Sequence, residues 1–164
     1  MTLNRRGFIK LTGAAFLSGC AGAIGMGACS SWRDECYVPW APEESYRLED
    51  ERVILLTSVF NSLAAASNAV KLVFGNNGEA VDRLIVIHPE VGKYHAFLDH
   101  CTHNKKELYY LHEDELLRCH SGRSYFDMEG NVMRDPAEMP LRVFPTRHEA
   151  DCVIIELTGG VDDV

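Results

Sequence analysis

From residue 52 onward the chain alternates short apolar runs with turn residues. The runs are Val53 to Leu56, Val70 to Phe74, Leu84 to Ile87, Tyr94 to Leu98, Leu108 to Leu111, Glu115 to Arg118 and Val153 to Leu157. They are rich in Val, Ile and Leu, and they are punctuated by Gly75-Asn76-Asn77-Gly78, Pro89-Glu90-Val91-Gly92 and Glu113-Asp114. Short β-branched runs between turn clusters predict strands joined by tight turns, so the fold class read from the pattern is all-β. One segment, Ser58 to Ala69, is undecided, because Leu63-Ala64-Ala65-Ala66 suits a helical turn as well as an extended connection. Residues 30 to 50 carry Pro39, Pro42, two Trp and several acids without periodicity, which reads as a linker or an N-terminal wrap. No internal repeat is visible.

The first twenty-nine residues read as targeting rather than fold. Asn4-Arg5-Arg6-Gly7-Phe8-Ile9-Lys10 precedes an uncharged, small-residue run from Leu11 to Ala28 that contains five glycines. This resembles a twin-arginine export signal, and its Gly, Ala and Ser content suits a signal better than a lipid-crossing helix. Leu17-Ser18-Gly19-Cys20 looks like a lipobox, with Met26-Gly27-Ala28-Cys29 a poorer second copy. A tethered lipoprotein, cleaved protein or uncleaved anchor all follow from that run, and each places the folded part on the periplasmic side. Twin-arginine export carries folded chains, which raises the expectation of a cofactor inserted beforehand.

The rest, residues 51–164 with the linker before them, suits one domain. Charge then excludes a partner class. The formal net charge is −8, and removing residues 1 to 19 takes away Arg5, Arg6 and Lys10 to leave −11, so nucleic acid is not an expected partner. Of six cysteines, Cys20 and Cys29 fall in the export region, leaving Cys36, Cys101, Cys119 and Cys152. Cys36 and Cys152 flank the domain and are candidates for a disulfide in an oxidising compartment.

Candidate chemistry concentrates in Asp99-His100-Cys101-Thr102-His103 and, after fifteen intervening residues, Cys119-His120-Ser121-Gly122-Arg123-Ser124-Tyr125-Phe126-Asp127. Two thiolates and two imidazoles suit iron or zinc. In a mixed cluster the thiolates hold the iron that stays ferric, and neutral imidazoles on the other iron raise the potential. His100 faces opposite to Cys101 in any extended geometry, and His88, His95, His112 and His148 are scattered ordinary positions.

Over roughly residues 52 to 157 the chain resembles the Rieske iron-sulfur family, which binds a [2Fe-2S] cluster. The resemblance rests on Cys101-Thr102-His103 after a strand with Ala96-Phe97, Phe126-Asp127 with Gly130 three residues on, Pro136-Ala137, Pro140-Leu141 and a closing apolar strand near Val153. It implies stacked antiparallel sheets: a base near 52 to 98 and 140 to 158, and a small cluster-binding subdomain near 99 to 139. It also implies Cys101 and Cys119 on the inner iron, and His103 with His120 on the solvent-facing one.

The second loop departs from the family. The family reads C-x-x-H-G and this chain reads C-H-S-G-R. In the register that keeps Ser124, Phe126 and Asp127 in step, Cys119 is the ligand cysteine and Gly122 stands at the second histidine. If His120 is matched instead, Leu117 replaces the ligand cysteine and Cys119 becomes an accessory disulfide cysteine opposite Lys106. Joint ligation by Cys119 and His120 requires a bent loop, which Ser121 and Gly122 would permit. Lys105 and Lys106 put two cations near the proposed cluster.

The resemblance implies one-electron transfer with a redox partner or complex subunit. A domain of this size has no substrate pocket of its own, so any catalysis belongs to the partner. Two alternatives stay open: a cluster-less binding or assembly module, and a mononuclear site with Cys101, His103, Cys119 and His120 as ligands.

Overall fold

The computed structural model describes residues 37–62, 68–74 and 82–158. The export segment, Cys20, Cys29, Cys36 and Leu63-Ala64-Ala65-Ala66 lie outside the described residues, so the signal, lipobox and Cys36 pairing are expectations only. Cys152 is a free thiol whose Sγ donates to the Glu149 carbonyl at 3.3 Å.

Twelve strands are present among the described residues: β1 (Tyr46–Glu49), β2 (Arg52–Leu56), β3 (Ala69–Phe74), β4 (Asp82–Glu90), β5 (Lys93–Leu98), β6 (Leu108–Leu111), β7 (Leu116–Cys119), β8 (Tyr125–Phe126), β9 (Val132–Arg134), β10 (Val143–Phe144), β11 (Thr146–Glu149) and β12 (Cys152–Glu156). A five-residue helix, α1 (Ser58–Ser62), begins the undecided segment, and Ala69 already lies in β3. The strands form three four-stranded antiparallel sheets, ordered β1-β2-β12-β11, β10-β5-β4-β3 and β6-β7-β8-β9. The all-β expectation is borne out, and the third sheet falls wholly within the small subdomain expected near 99 to 139.

Alternation along the middle sheet explains the layering. Successive strand residues face opposite sides, and Leu84, Ile85, Val86 and Ile87 all have no exposed surface. Leu84 and Val86 pack with Val53, Leu55, Val70, Leu72, Val153 and Ile155 in the core shared with the first sheet. Ile85 and Ile87 pack with Phe97, Leu108, Tyr110, Leu117 and Phe126 in the core shared with the third. A strand covered on both faces reads as an unbroken apolar run, as this one does.

The described part of residues 30 to 50 behaves as a wrap. Val38 is buried in the second core, Trp40 bridges to Lys71, and Ala41 N–H donates to the Lys71 carbonyl at 2.7 Å. β1 then pairs with β2 through Tyr46↔Leu55 and Leu48↔Val53.

Candidate redox centre

Two loops meet where the third sheet abuts the middle one. The first follows β5. Cys101 N–H donates to the Lys106 carbonyl and Lys105 N–H to the Cys101 carbonyl, both at 2.8 Å, which closes the loop on itself. Lys105 takes φ 59°, a left-handed conformation uncommon for a residue with a Cβ. The second loop follows β7. Cys119 N–H donates to the Ser124 carbonyl at 3.0 Å and Gly122 N–H to the Cys119 carbonyl at 2.7 Å, with Gly122 at φ 73°.

These closures bring the two thiols together. Cys101 and Cys119 have no exposed surface and belong to one core cluster with Leu108 and Leu117. Burial first, then the neighbouring Cys119 thiol, pushes the Cys101 thiol above its ordinary value. Asn104 ties the loops to each other, since its Oδ1 accepts from Lys106 N–H at 3.1 Å and from Cys119 Sγ at 3.3 Å. Ser121 Oγ donates to Cys119 Sγ at 3.1 Å.

The histidines are placed differently. His103 is exposed at the tip of the first loop. His120 continues the β6–β7 ladder, its N–H donating to the Glu107 carbonyl at 2.8 Å, so its side chain leaves the opposite face of the strand from Cys119. There its Nδ1 sits 2.6 Å from Tyr109 Oη. Gly122 follows, and the Arg118 guanidinium lies where a side chain at that position would begin, Nη2 being 2.7 Å from the point a Cβ would occupy. Among the described residues no three His, Cys, Asp or Glu side chains stand together as a metal-holding group.

A group absent from the sequence reading lies at the root of the first loop. Lys71, 1% exposed, points from β3 toward the subdomain, with Nζ 3.0 Å from both Asp99 Oδ2 and Glu107 Oε2. Arg83 Nη1 bonds Glu107 Oε1 at 3.0 Å, and Asp99 Oδ1 accepts from Leu108 N–H at 2.7 Å. Burial raises the Asp99 carboxyl above its ordinary value, against the pull of Lys71, Leu108 N–H and Arg83. Burial would raise Glu107 too, but Lys71, then Arg83 and His120, hold it below the usual carboxylate range. Two cations and two carboxylates therefore anchor both ends of the first thiol loop, Asp99 just after β5 and Glu107 just before β6. The interruption of an apolar strand by Lys71, between Val70 and Leu72, was the available signal.

Residues 62–145, just over half of the chain, match the Rieske [2Fe-2S] domain. The chain belongs to the Rieske [2Fe-2S] domain family. Among solved structures this Rieske chain is similar to the plasma membrane Rieske protein PetC3 from Synechocystis PCC 6803, at 19% identity over 61% of this chain and 93% of that one, with a TM-score of 0.47. It is also similar to the ferredoxin of carbazole 1,9a-dioxygenase from Nocardioides aromaticivorans IC177, at 17% identity over 52% and 82% of the two chains, with a TM-score of 0.43. No curated protein matches it.

The family's cluster can be tested against these donors. The paired thiols of Cys101 and Cys119 suit the inner, thiolate-held iron, and exposed His103 suits one position on the outer iron. The fourth donor does not fit as placed. His120 is directed away toward Tyr109, and the position that keeps Ser124, Phe126 and Asp127 in register is Gly122. Ser124, the residue that would hydrogen-bond a cluster in that register, is buried and its Oγ accepts from Ala137 N–H at 3.1 Å.

Proposed function

We propose that this chain is a Rieske-type electron-transfer protein on the periplasmic side of the membrane, acting as a subunit or partner of a redox complex. The observation that carries the reading is the pairing of two buried thiols from separate loops within a Rieske-family domain. A [2Fe-2S] cluster would supply one-electron chemistry, with Cys101, Cys119 and His103 as its donors and His120 the fourth if the loop after Cys119 bends. The chain's own contribution is to bury the sulfurs, to fix both loops by backbone closure, and to leave His103 at the solvent face for exchange with a partner. The Arg5-Arg6 motif supports twin-arginine export, and Leu17-Ser18-Gly19-Cys20 supports a lipid anchor.

The test is reduction with dithionite of anaerobically purified, full-length protein, followed by low-temperature electron paramagnetic resonance with iron and acid-labile sulfide analysis. A rhombic Rieske-type signal supports the reading. Loss of that signal in Cys101→Ser ties it to the thiols, and its persistence in His120→Ala shows that His120 is not a ligand. For the anchor, Cys20→Ser is expected to move the protein from the membrane to the soluble fraction.

The outward turn of His120 and the glycine at 122 favour a second reading, in which the domain has kept the scaffold and thiols without a cluster. Fully folded protein containing neither iron nor sulfide would select it.

A further inference from the structure

Charge is unevenly spread over the domain. The chain as a whole is acidic, with a formal net charge of −8, yet residues 100–106 and 119–124 of the two thiol loops contain no Asp or Glu and carry Lys105, Lys106 and Arg123. All three residues are exposed. Elsewhere the described cations are engaged. They pair with carboxylates, as Lys93 does with Glu90 and Arg52 with Glu156, or lie over aromatic rings, as Arg134 does over Tyr125. Among the described residues the side chains of Lys105, Lys106 and Arg123 have no such partner. Glu107, which follows Lys106, has its two oxygens taken by Lys71 and Arg83.

The loops present these charges at one end of the domain. Asn104 Oδ1 accepts from Lys106 N–H and from Cys119 Sγ, and His120 N–H donates to the Glu107 carbonyl, so the loops are joined at two points. Met139 adds an apolar element: it is 52% exposed, and its carbonyl accepts from Thr102 Oγ1 at 2.8 Å, which seats it against the first loop. Exposed Glu138 precedes it. Acids gather instead at the far end of the β6–β7 hairpin, whose turn carries Glu113, Asp114 and Glu115. A cavity of about 550 Å³ there has Glu90, Glu115 and Glu129 in its walls.

We propose that the thiol-loop end docks an acidic protein surface, with Lys105, Lys106 and Arg123 as the cations that select it and Met139 as an apolar contact. The inference rests on the proposed electron-transfer role, which makes the occupant the redox partner. Apolar surface bordered by charge is the anatomy of a protein interface, whereas an anionic lipid surface recruits clusters of roughly four to eight cations. Unpaired cations at one end of an acidic body also orient the encounter. The far end repels an acidic partner and the loop end attracts it, so productive approaches favour the end that holds the thiols.

The test is lysine footprinting of the full-length protein, with poly-L-glutamate as the acidic probe and acetylation by an N-hydroxysuccinimide ester read by peptide mass spectrometry. Iron and acid-labile sulfide are measured on the same sample. At an ionic strength of about 0.01 M, where the screening length is about 30 Å, the probe is expected to protect Lys105 and Lys106. Lys93, held by Glu90, should keep the rate it has without probe. At about 0.15 M, where the screening length is about 8 Å, the protection should fall. Arg123→Gln should raise the probe concentration for half-protection of both lysines about two- to fivefold, and Arg123→Lys should leave it unchanged. Equal acetylation of Lys105 and Lys106 with and without probe overturns the proposal, as does equal protection of Lys93. Protection by phosphatidylglycerol vesicles but not by poly-L-glutamate overturns it in favour of a lipid surface. Protection without iron or sulfide supports the acidic docking surface and overturns the electron-transfer reading, and iron with sulfide but no protection does the reverse.

Discussion

Lys71→Met probes the ionic group beneath the thiol loops. The Lys71 and Asp99 side chains are 2% and 0% exposed, and their charges lie 3.0 Å apart. At that distance and an effective dielectric near 20 the attraction is about 5 kcal/mol, set against a desolvation cost of several kcal/mol for each ion. Met fills much of the lysine stem's volume, so the main loss is the charge. Asp99 is then left buried with Leu108 N–H as its remaining near donor, whereas Glu107 keeps Arg83. Removing one partner of such a pair costs roughly 3–5 kcal/mol. The pH dependence fixes the cause. Asp99 already has a raised carboxyl pKa in the fold, so its neutral form is favoured there. Its contribution is full below the unfolded value and is lost as pH rises through the folded one. Without Lys71 the folded value rises further, and the deficit of the variant should be largest at neutral pH and shrink as Asp99 takes up a proton on acidification. Urea unfolding followed by tryptophan fluorescence, for wild type and variant at neutral pH and near pH 5, measures both. Lys71→Met/Asp99→Asn should recover part of the loss at neutral pH. A deficit below about 1 kcal/mol at neutral pH, or one that grows on acidification, would refute the argument.

Other expectations follow from packing and titration. Leu117→Ala, at a fully buried position in the core cluster that holds both thiols, should cost about 2–5 kcal/mol in the same urea assay, since the cavity is lined by side chains fixed in two sheets. Gly130→Ala should lower the urea midpoint by an amount equivalent to about 1–3 kcal/mol. Gly130 sits at φ 88°, and an added Cβ would lie 2.9 Å from Val143 Cγ2 and 3.1 Å from the Leu141 carbonyl oxygen. His88 stacks on Tyr94 with centroids 4.5 Å apart, and burial, then His148, lowers its pKa. The neutral ring therefore contributes stability above the unfolded histidine value that is lost as pH falls through the folded one. His88→Phe should flatten the acid limb of the stability profile relative to wild type, and an unchanged limb would remove His88 from the account.

Much of the fold was legible before any tertiary information. Leu84 to Ile87 read as a strand because a short apolar run between turns has few other uses, and the two loops were visible as Cys and His clusters between such runs. Local chemistry did not reveal β8 and β10, each of two residues, because such strands are defined by the neighbour they pair with rather than by periodicity. Nor did it reveal that residues 37–49 join the core and the first sheet, since Pro-rich, aperiodic chain is ordered there by packing against β2 and β3.

At the site, the sequence by itself supplied the two thiols and the ambiguity of the second loop. The direction of the His120 side chain depends on the backbone at one residue, and that is set by a long-range hydrogen bond from His120 N–H to the carbonyl of Glu107, just before β6. The bond extends the ladder by one position and sends the imidazole to Tyr109 while Cys119 stays inside. Lys71 shows the same division. Its place between Val70 and Leu72 fixed the face it shares with Ala69, but only the third sheet covering that face made it a buried charge held by Asp99 and Glu107. Period and composition determine which side of a strand a residue occupies, and what lies against that side is set by the rest of the chain.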